Sequence, residues 1–462
     1  MGHNDEFQRL EGKIFTKSFF VLLAVVLVGF FFVGMRYVKG IGAVSNMSDG
    51  YPWGIWITYD VATGTAIACG GYAVAILVYI RNRMQYHPLI RSAILTSMFG
   101  YGLAGFSVMV DVGRPWNAYN FFIPSKWQAH SAMFEVALCV MAYSTVLIIE
   151  FIPAILTTIE KSRWERMNLI RNWLHPRIAP DAKSMHDTLE LVRLGAAWLK
   201  PRLNKVLIFF IVLGITLPTM HQSSLGSLLL IASTKLHPLW HTGFLPLLFL
   251  LNCVFIGYAI AILESIISCY CFVRPYEVEE LSGLAGLVPY VTVIWLTVVV
   301  GDLVQRGQLG AALKGDFYSC FFMAEFLLVA VGSLLLFSRT LRRSPRWLFV
   351  SASLIVLGGA LYRFNVYLIG FNPGKGWRYF PSFAEVMVTV GIVALEILGY
   401  KVFVALFPVL PNSSGHGGVK PGAPDQGAPE QGKRELLEPA HGVGFKKAVA
   451  QAQLQAAIRN LN

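Results

Sequence analysis

Charged residues are scarce in this sequence. Asp, Glu, Lys and Arg make up 14% of its 462 residues, whereas a soluble globular protein carries about 25%. The chain therefore lacks the polar residues needed to cover a surface that faces water. Its apolar residues, 55% of the total, come in unbroken blocks and do not alternate with polar residues, which excludes an outer-membrane barrel. The composition predicts an all-α membrane protein.

Motifs that bind metals or attach cofactors covalently are also lacking. The six cysteines form no CxxC or CxxCH motif, so the sequence gives no support for a disulfide framework, a zinc site, c-type haem or an iron–sulfur cluster. The net charge of +12 comes without a recognition motif, so no nucleic-acid partner is expected. The first apolar run, 18–35, has no A-x-A-like cleavage site after it and is interpreted as a spanning helix.

Ten apolar blocks are long enough to cross a lipid bilayer, for which a helix needs about 20 residues. They are predicted at 18–36, 53–80, 89–111, 127–152, 204–232, 243–272, 284–303, 317–339, 346–370 and 382–408. We number them spans one to ten. The predicted fold is a bundle of about ten transmembrane helices over residues 18–410.

Positive residues are distributed unevenly between the two sides of this bundle. Twenty-one Lys and Arg fall on the side of the N-terminus, with six more in the C-terminal tail, against nine on the opposite side. Cytoplasmic loops of membrane proteins are enriched in Lys and Arg. Both terminal segments, 1–17 and 411–462, are therefore predicted to be cytoplasmic.

Two cytoplasmic segments differ from the bundle. Within the long loop 156–203, apolar residues recur at the spacing of one helical face: Met185, Leu189, Val192, Ala196 and Leu199. This pattern predicts a helix that lies on the membrane surface, and a solvated linker is the alternative. The tail, 411–462, begins with a Gly- and Pro-rich sequence and is predicted to be disordered.

Ionisable side chains inside the spans are functional candidates, because inserting each one costs at least about 2.5 kcal/mol. From the rise of a helix, five spans are expected to bring such groups to the outer half of the membrane: Asp60, Glu135, His221, Arg363 and Glu385. Their convergence at one depth predicts a shared site near the outer face. The alternative is that each group makes its own helix–helix hydrogen bond.

The densest polar segment is LPTMHQSSLGS, residues 217–227 of span five. Pro218 removes a backbone donor and predicts a kink. The neutral donors and acceptors of this segment suit the head group of a quinone. The predicted quinone-binding residues are His221, Gln222, Ser223, Ser224 and, from span two, Asp60. The alternative is a polar patch that holds helices together.

Several segments together resemble one family. They are YPWGIWITYD (51–60), ACGGYA (68–73), QYHPLIR (85–91), DVGRPWN (111–117), LPTMHQSSLGSL (217–228), HPLW (237–240), GDFYS (315–319), FNPG (371–374) and YFPS (379–382) with Glu385. In these segments the sequence is similar to the NrfD-like integral membrane subunits, of the HybB type that anchors respiratory nickel–iron hydrogenases. The loop 160–203 and the tail 411–462 depart from the family pattern by their length.

The resemblance implies a haem-free subunit in the inner membrane of a bacterium, with no metal of its own. It would bind menaquinone or ubiquinone near the periplasmic face and act on it only together with partner subunits. The expected partners are a periplasmic ferredoxin-like iron–sulfur subunit and a catalytic subunit, of which a nickel–iron hydrogenase is favoured. Docking of the iron–sulfur subunit is expected at Trp116, Asn117, Trp240 and Asn372.

Quinone chemistry moves protons with electrons, and buried carboxyls are the candidate carriers. Glu135 has no Lys or Arg within eight residues in sequence, so we expect its carboxyl to give and take protons and to gate the site. Glu396 and Glu264 would continue the path towards the cytoplasm, and Glu385 and Arg363 are assigned to the same path. A structural ion pair of Glu135 with Arg363 or with a His is the alternative.

Two other functions are open at this point. A b-type haem cytochrome needs two facing histidines inside the bundle, and the candidates are His130, His221, His237 and His241. Two of these lie in a connection between spans. A secondary transporter typically has inverted repeats and broken helices, whereas the sequence shows one interrupted span and no obvious repeat.

Overall fold

A computed structural model describes residues 7–10, 14–161 and 182–411, and for residues 160, 161, 182–193 and 233 it describes the backbone alone. These residues belong to one compact unit, Met1–Pro421. The second unit, Gly422–Asn462, lies outside the described residues, and with it the predicted disordered tail. The described part contains ten helices that are long and apolar enough to cross a membrane, as predicted.

The ten spanning helices, labelled α1 to α10, coincide with the predicted spans, and the largest differences are in α4 and α5. They are α1 Lys17–Lys39, α2 Trp56–Ile80, α3 Met84–Asp111, α4 Ala132–Lys161, α5 Ala182–Ile231, α6 Leu245–Cys271, α7 Val278–Gln305, α8 Phe317–Phe337, α9 Pro345–Ile369 and α10 Phe383–Leu406. Short helical turns connect them at Ile41–Ala43, Pro115–Phe122, Pro124–Lys126, Ser233–Lys235, Leu309–Ala312 and Arg339–Arg342. Two short strands, β1 Phe7–Gln8 and β2 Leu410–Pro411, lie at the ends.

Two of the spans contain π-helical segments. α2 is π-helical over Trp56–Thr63 and Ile76–Ile80, with a turn between them at residues 68 and 69. α9 ends in a π-helical segment, Asn365–Ile369. Such segments are rare and occur frequently at functional sites. Here they lie in helices that carry buried polar residues.

The loop 156–203 is helical where the structure describes it. α4 extends to Lys161, and α5 begins at Ala182 and continues through Pro201 and Pro218. The helix predicted over 185–199 is therefore the beginning of α5 and not a separate element. Residues 162–181 lie outside the described residues, and the location of this helix on the membrane surface stays a prediction.

The centre of the bundle is formed by α2 and α6. In the most apolar stretch of each helix, 78% and 67% of the residues are buried. α6 packs against α2, α5, α7 and α9. At Gly257 the backbones of α6 and α2 touch, since a Cβ added there would lie 2.6 Å from the Cys69 carbonyl oxygen. Small residues allow this close approach of helices in a membrane.

The two ends of the described chain are joined. α1 packs against α10, and a Cβ on Gly29 would lie 2.8 Å from the Gly391 Cα atom. β1 pairs antiparallel with β2, with Phe7 opposite Pro411. Both ends thus lie on one face of the bundle, which we call the inner face, and the opposite face is the outer face. That the inner face is cytoplasmic stays a prediction.

Candidate functional site

A cluster of polar side chains lies at the centre of the bundle, where α2, α3 and α5 meet. His221 and Gln222 of α5 are 1% and 0% exposed. His221 Nε2 lies 3.3 Å from Thr65 Oγ1 of α2. The Gln222 amide nitrogen donates to Thr65 Oγ1 at 3.2 Å and to the Tyr101 hydroxyl of α3 at 3.1 Å. We call these four residues the central cluster.

The hydrogen bonds of the central cluster determine which atoms remain free. Thr65 donates its hydroxyl proton to the Val61 carbonyl at 2.6 Å, so it can only accept from His221 and Gln222. In a neutral imidazole the ring proton of His221 is then on Nε2. His221 Nδ1 and Gln222 Oε1 are therefore acceptors, and neither has a hydrogen-bond partner in the described part of the chain. An unpaired buried acceptor costs about 1–3 kcal/mol, so this pair points to a ligand with donor groups.

A buried guanidinium, that of Arg363 on α9, lies near His221. It is 0% exposed and donates to the Asn252 side-chain oxygen at 2.5 Å and to the carbonyls of Ala62 and Phe249 at 2.8 and 2.7 Å. Because its donors bind these neutral oxygens, Arg363 ties α9 to α2 and α6. The ion pair with Glu135, considered above as an alternative, is not formed.

Two of the predicted quinone-binding residues bond to their own helix. The hydroxyl of Ser223 donates to the Thr219 carbonyl at 3.0 Å, and that of Ser224 donates to the Met220 carbonyl at 2.9 Å. Serine in a helix can bond to the preceding turn in this way. The described hydrogen bonds of both serines thus lie within α5 and not in the central cluster.

Asp60 belongs to a second polar group, between α2, α3 and α10. Its carboxylate accepts hydrogen bonds from Ser107 of α3 at 3.1 Å and from Thr389 of α10 at 3.2 Å. Asp60 is 6% exposed. The described partners of its side chain thus lie outside the central cluster. The sequence had predicted one pocket that contains both His221 and Asp60.

Three carboxyls follow one another through the bundle from the group around Asp60. Glu396 of α10 is close enough to interact electrostatically with Asp60 on one side and with Glu264 of α6 on the other. Glu264 accepts a hydrogen bond from the Tyr400 hydroxyl at 2.7 Å. We call Asp60, Glu396 and Glu264 the carboxyl line. It contains two of the residues assigned to proton transfer from the sequence.

Glu385, also assigned to proton transfer, caps the outer end of α10. It accepts hydrogen bonds from the Tyr379 hydroxyl at 2.6 Å and from the backbone N–H groups of Ser382 and Asn46 at 2.7 and 3.0 Å. Ser382 accepts in turn from the Glu385 N–H group, which completes a capping box. These contacts support a structural role, and proton transfer by Glu385 stays a prediction.

Glu135 lies nearer the outer end of its helix than the sequence predicted. α4 begins at Ala132, so Glu135 is in its first turn, where its N–H group donates to the Ser131 carbonyl at 3.0 Å. The segment before Ala132, although apolar in part, forms turns and is not helical. Glu135 is half-buried, and its role as a proton gate stays a prediction.

The predicted docking residues divide into two groups. Trp116, Asn117 and Asn372 are exposed on the outer face. Trp240 is 2% exposed, and its indole nitrogen donates to the Glu325 carboxylate of α8 at 2.9 Å. This hydrogen bond holds the indole inside the bundle, and docking of a partner at the segment that carries Trp240 stays a prediction.

Sequence reasoning missed Thr65 and Tyr101. Each is one of several polar residues in its helix, and no spacing marks it as a partner of His221. The contacts depend on how α2, α3 and α5 are rotated about their axes, which the sequence does not show. The small residues around Tyr101 in the run GYGLAG, 100–105, indicate close packing of α3 and were the available signal.

The fold and this site define an integral membrane protein with a polar centre enclosed by ten helices. The chain belongs to the family described as polysulphide reductase, NrfD, which matches residues 43–372.

Relatives of known name are similar over most of their length. One is the probable Ni/Fe-hydrogenase 2 b-type cytochrome subunit of Escherichia coli (strain K12), 38% identical over 87% of this chain and 95% of the relative. Another is the menaquinone reductase integral membrane subunit of Nitratidesulfovibrio vulgaris, 26% identical over 81% of this chain and 87% of the relative. A third, a selenate reductase subunit of Mesobacillus selenatarsenatis, is 21% identical over 85% of this chain and 93% of the relative.

The expectation of a haem-free chain is contradicted by the first of these names, which calls the Escherichia coli relative a b-type cytochrome subunit. The donor set gives limited support for bis-histidine ligation. Among the histidines whose side chains the structure describes, His221 is the one that is fully buried, and His237 and His241 are half-buried in an outer connection. The described residues hold no cluster of three or more His, Cys, Asp or Glu suited to a metal ion. We derive no step through a haem.

Proposed function

We propose that this chain is the quinone-reactive membrane subunit of a respiratory oxidoreductase. It would pass electrons between an iron–sulfur partner and the quinone pool, with coupled proton transfer. The observation that carries the proposal is a pair of buried acceptors, His221 Nδ1 and Gln222 Oε1, that have no hydrogen-bond partner among the described residues. The central cluster to which they belong contains no carboxylate. The names of two relatives, a hydrogenase subunit and a menaquinone reductase subunit, support the same function.

The chemistry of the free acceptors fits the reduced form of the substrate. A quinol carries two O–H donors, and each needs an acceptor when it is buried. On oxidation the quinol would give two electrons to the iron–sulfur partner and release two protons, of which a neutral imidazole nitrogen can take one and the carboxyl line the other. His221 Nδ1 is such a nitrogen, while Gln222 Oε1 can accept a hydrogen bond and orient the ring. In the opposite direction His221 would return the proton to the quinone.

The carboxyl line supports a route for protons towards the inner face. Asp60, Glu396 and Glu264 occur on three neighbouring helices, and interactions between successive members join them. A carboxyl can carry a proton in one state and release it in the other. We propose that the line exchanges protons with the quinone site, and that Glu135, in the first turn of α4, gates exchange at the outer end.

The partners follow from the same proposal. With no iron–sulfur motif in its sequence, the chain needs a separate electron carrier, which we propose to be a periplasmic ferredoxin-like iron–sulfur subunit. This subunit would connect to a catalytic subunit of the nickel–iron hydrogenase type, and the present chain would anchor both in the inner membrane of a bacterium. The hydrogenase named for the relative supports this choice of catalytic subunit.

The test is His221→Leu in the complete complex. We expect loss of quinone-coupled turnover, while the catalytic partner keeps its activity with an artificial dye. Ser223→Ala is the matched control, because its hydroxyl bonds to its own helix, and it should keep quinone turnover. Unchanged quinone turnover in His221→Leu would refute the assignment of the site.

The second candidate, a b-type cytochrome, is favoured by the name of one relative. Visible absorption of the purified chain decides it. A haem Soret band establishes the cofactor, and loss of that band in His221→Leu but not in Ser223→Ala assigns His221 as its ligand and not as a quinone-binding residue.

A further inference from the structure

The outer face carries a cleft of about 660 Å³ between two connections of the bundle. Its lining consists of residues 234–238, from the α5–α6 connection, and of residues 372 and 374–378, from the α9–α10 connection. Its floor is a backbone pairing of these two segments. Leu236 forms a β-bridge with Phe371, and the Asn372 N–H group donates to the Lys235 carbonyl at 2.7 Å. We call it the outer cleft.

The outer cleft is positively charged and contains no acidic residue. Lys235, Lys375 and Arg378 line it and are exposed. In the described part of the chain none of the three has a carboxylate within 4.0 Å, whereas the neighbouring outer cations Arg306 and Lys314 pair with acidic residues. These three cations, which have no counter-ion among the described residues, surround one concave surface and favour an anionic occupant.

The wall of the outer cleft is held in place by contacts below and beside it. Trp377 packs on the backbone of the α1–α2 connection, since a Cβ on Gly50 would overlap its ring. Arg306 donates to the Pro238 carbonyl at 2.6 Å. Gly374 and Gly376 adopt φ of +123° and +93°, which favour glycine. A surface fixed before binding loses less entropy when an occupant arrives.

Contacts connect the floor of the outer cleft to the central cluster. Trp53 donates from its indole nitrogen to the Tyr367 carbonyl at 3.0 Å and packs against Phe371 with ring centroids 4.7 Å apart. The Tyr367 hydroxyl donates to the Leu225 carbonyl at 2.8 Å. Leu225 lies one helical turn after His221 on α5. An occupant of the cleft therefore lies above the helix that carries the free acceptors.

We propose that the outer cleft binds an acidic segment of the electron-transfer partner and so positions that partner above the central cluster. This inference rests on the proposed function, which requires such a partner. The alternative occupant is an anionic lipid. The protein segment is favoured because every lining residue belongs to a connection and none to a spanning helix, so the cleft lies beyond the helices against which the acyl chains of a lipid would pack.

The experiment uses the complex purified in mild detergent with its iron–sulfur subunit, and a carbodiimide that joins an amine to a carboxylate in direct contact. We expect Lys235 or Lys375 to be joined to an Asp or Glu of the iron–sulfur subunit, identified by mass spectrometry. The double variant Lys235→Glu/Lys375→Glu should retain the iron–sulfur subunit at least tenfold less well at low salt. Lys39→Glu/Lys126→Glu is the matched control, with the same change of charge on the outer face, and should retain it.

The outcomes separate this inference from the proposed function. If the cleft variant retains its partner like the control while His221→Leu abolishes quinone turnover, the cleft proposal is wrong and the quinone site stands. If the cleft variant loses bound cardiolipin and keeps its partner, the occupant is a lipid and the proposal is overturned. If His221→Leu leaves turnover unchanged while the cleft variant releases the iron–sulfur subunit, docking stands and the quinone site fails.

Discussion

Trp240→Phe is expected to destabilise the protein through one hydrogen bond. The change removes the donor to Glu325, whose carboxylate keeps the Asn365 side-chain amide, at 2.5 Å, as its partner. Leaving a buried acceptor atom unpaired costs about 1–3 kcal/mol, and the space left by the smaller ring costs about 1 kcal/mol more. The free energy of unfolding should therefore fall by about 2–4 kcal/mol.

A double-mutant cycle isolates this hydrogen bond. In Glu325→Leu the indole of Trp240 has lost its acceptor, so Trp240→Phe in that background removes an unpaired donor and should cost no more than the lost packing. The free energy of unfolding is measured by titrating the protein in mild detergent with SDS and monitoring its resistance to a protease. Trp377→Phe, at a ring that is 45% exposed, is the control and should change it by less than about 0.5 kcal/mol. An equal cost of Trp240→Phe in both backgrounds would refute the role of the hydrogen bond.

Two further predictions concern Glu135 and His237. Glu135→Gln should assemble normally but slow quinone turnover strongly, since an amide cannot carry the proton; turnover equal to that of the unchanged chain between about pH 6 and 8 would contradict the gate. Burial lowers the pKa of His237, although Asp316 raises it, and Lys314 lowers it further. Neutral His237 accepts a hydrogen bond from the Leu239 N–H group at 3.3 Å. The stability that the neutral form contributes is therefore present above about pH 6.5 and is lost as the pH falls through the lowered pKa of His237. Thermal unfolding of His237→Gln should depend less on pH over that range than that of the unchanged chain, and equal dependence would contradict this account.

The ten spans could be predicted because a bilayer requires each crossing segment to be continuously apolar and to satisfy its own backbone hydrogen bonds. The apolar composition of a segment shows directly whether it meets this requirement. The ends of the spans were harder to place. The residues from Trp127 to Ser131 are partly apolar but form turns, and counting them as helix placed Glu135 too deep.

The candidate site could be predicted in part. His221 and Gln222 stood out because polar residues are expensive in an apolar span. Equal depth was then taken as proximity for Asp60, yet two residues at one depth can face different neighbours around a bundle. The rotation of each helix decides this, and it depends on packing between distant segments, such as the contact of Gly257 with the backbone at Cys69.

The pairing of α1 with α10 has a consequence for the order of assembly. α1 enters the membrane at the start of synthesis, and about 340 residues separate its end at Lys39 from Phe383, where its partner begins. At a synthesis rate of about 5–20 residues per second, the surface around Gly29 faces lipid for roughly 20–70 s before α10 can cover it. The packing of α1 against α10 and the pairing of β1 with β2 thus form after the other spans have been made. A chain interrupted before α10 leaves the Gly29 surface of α1 uncovered.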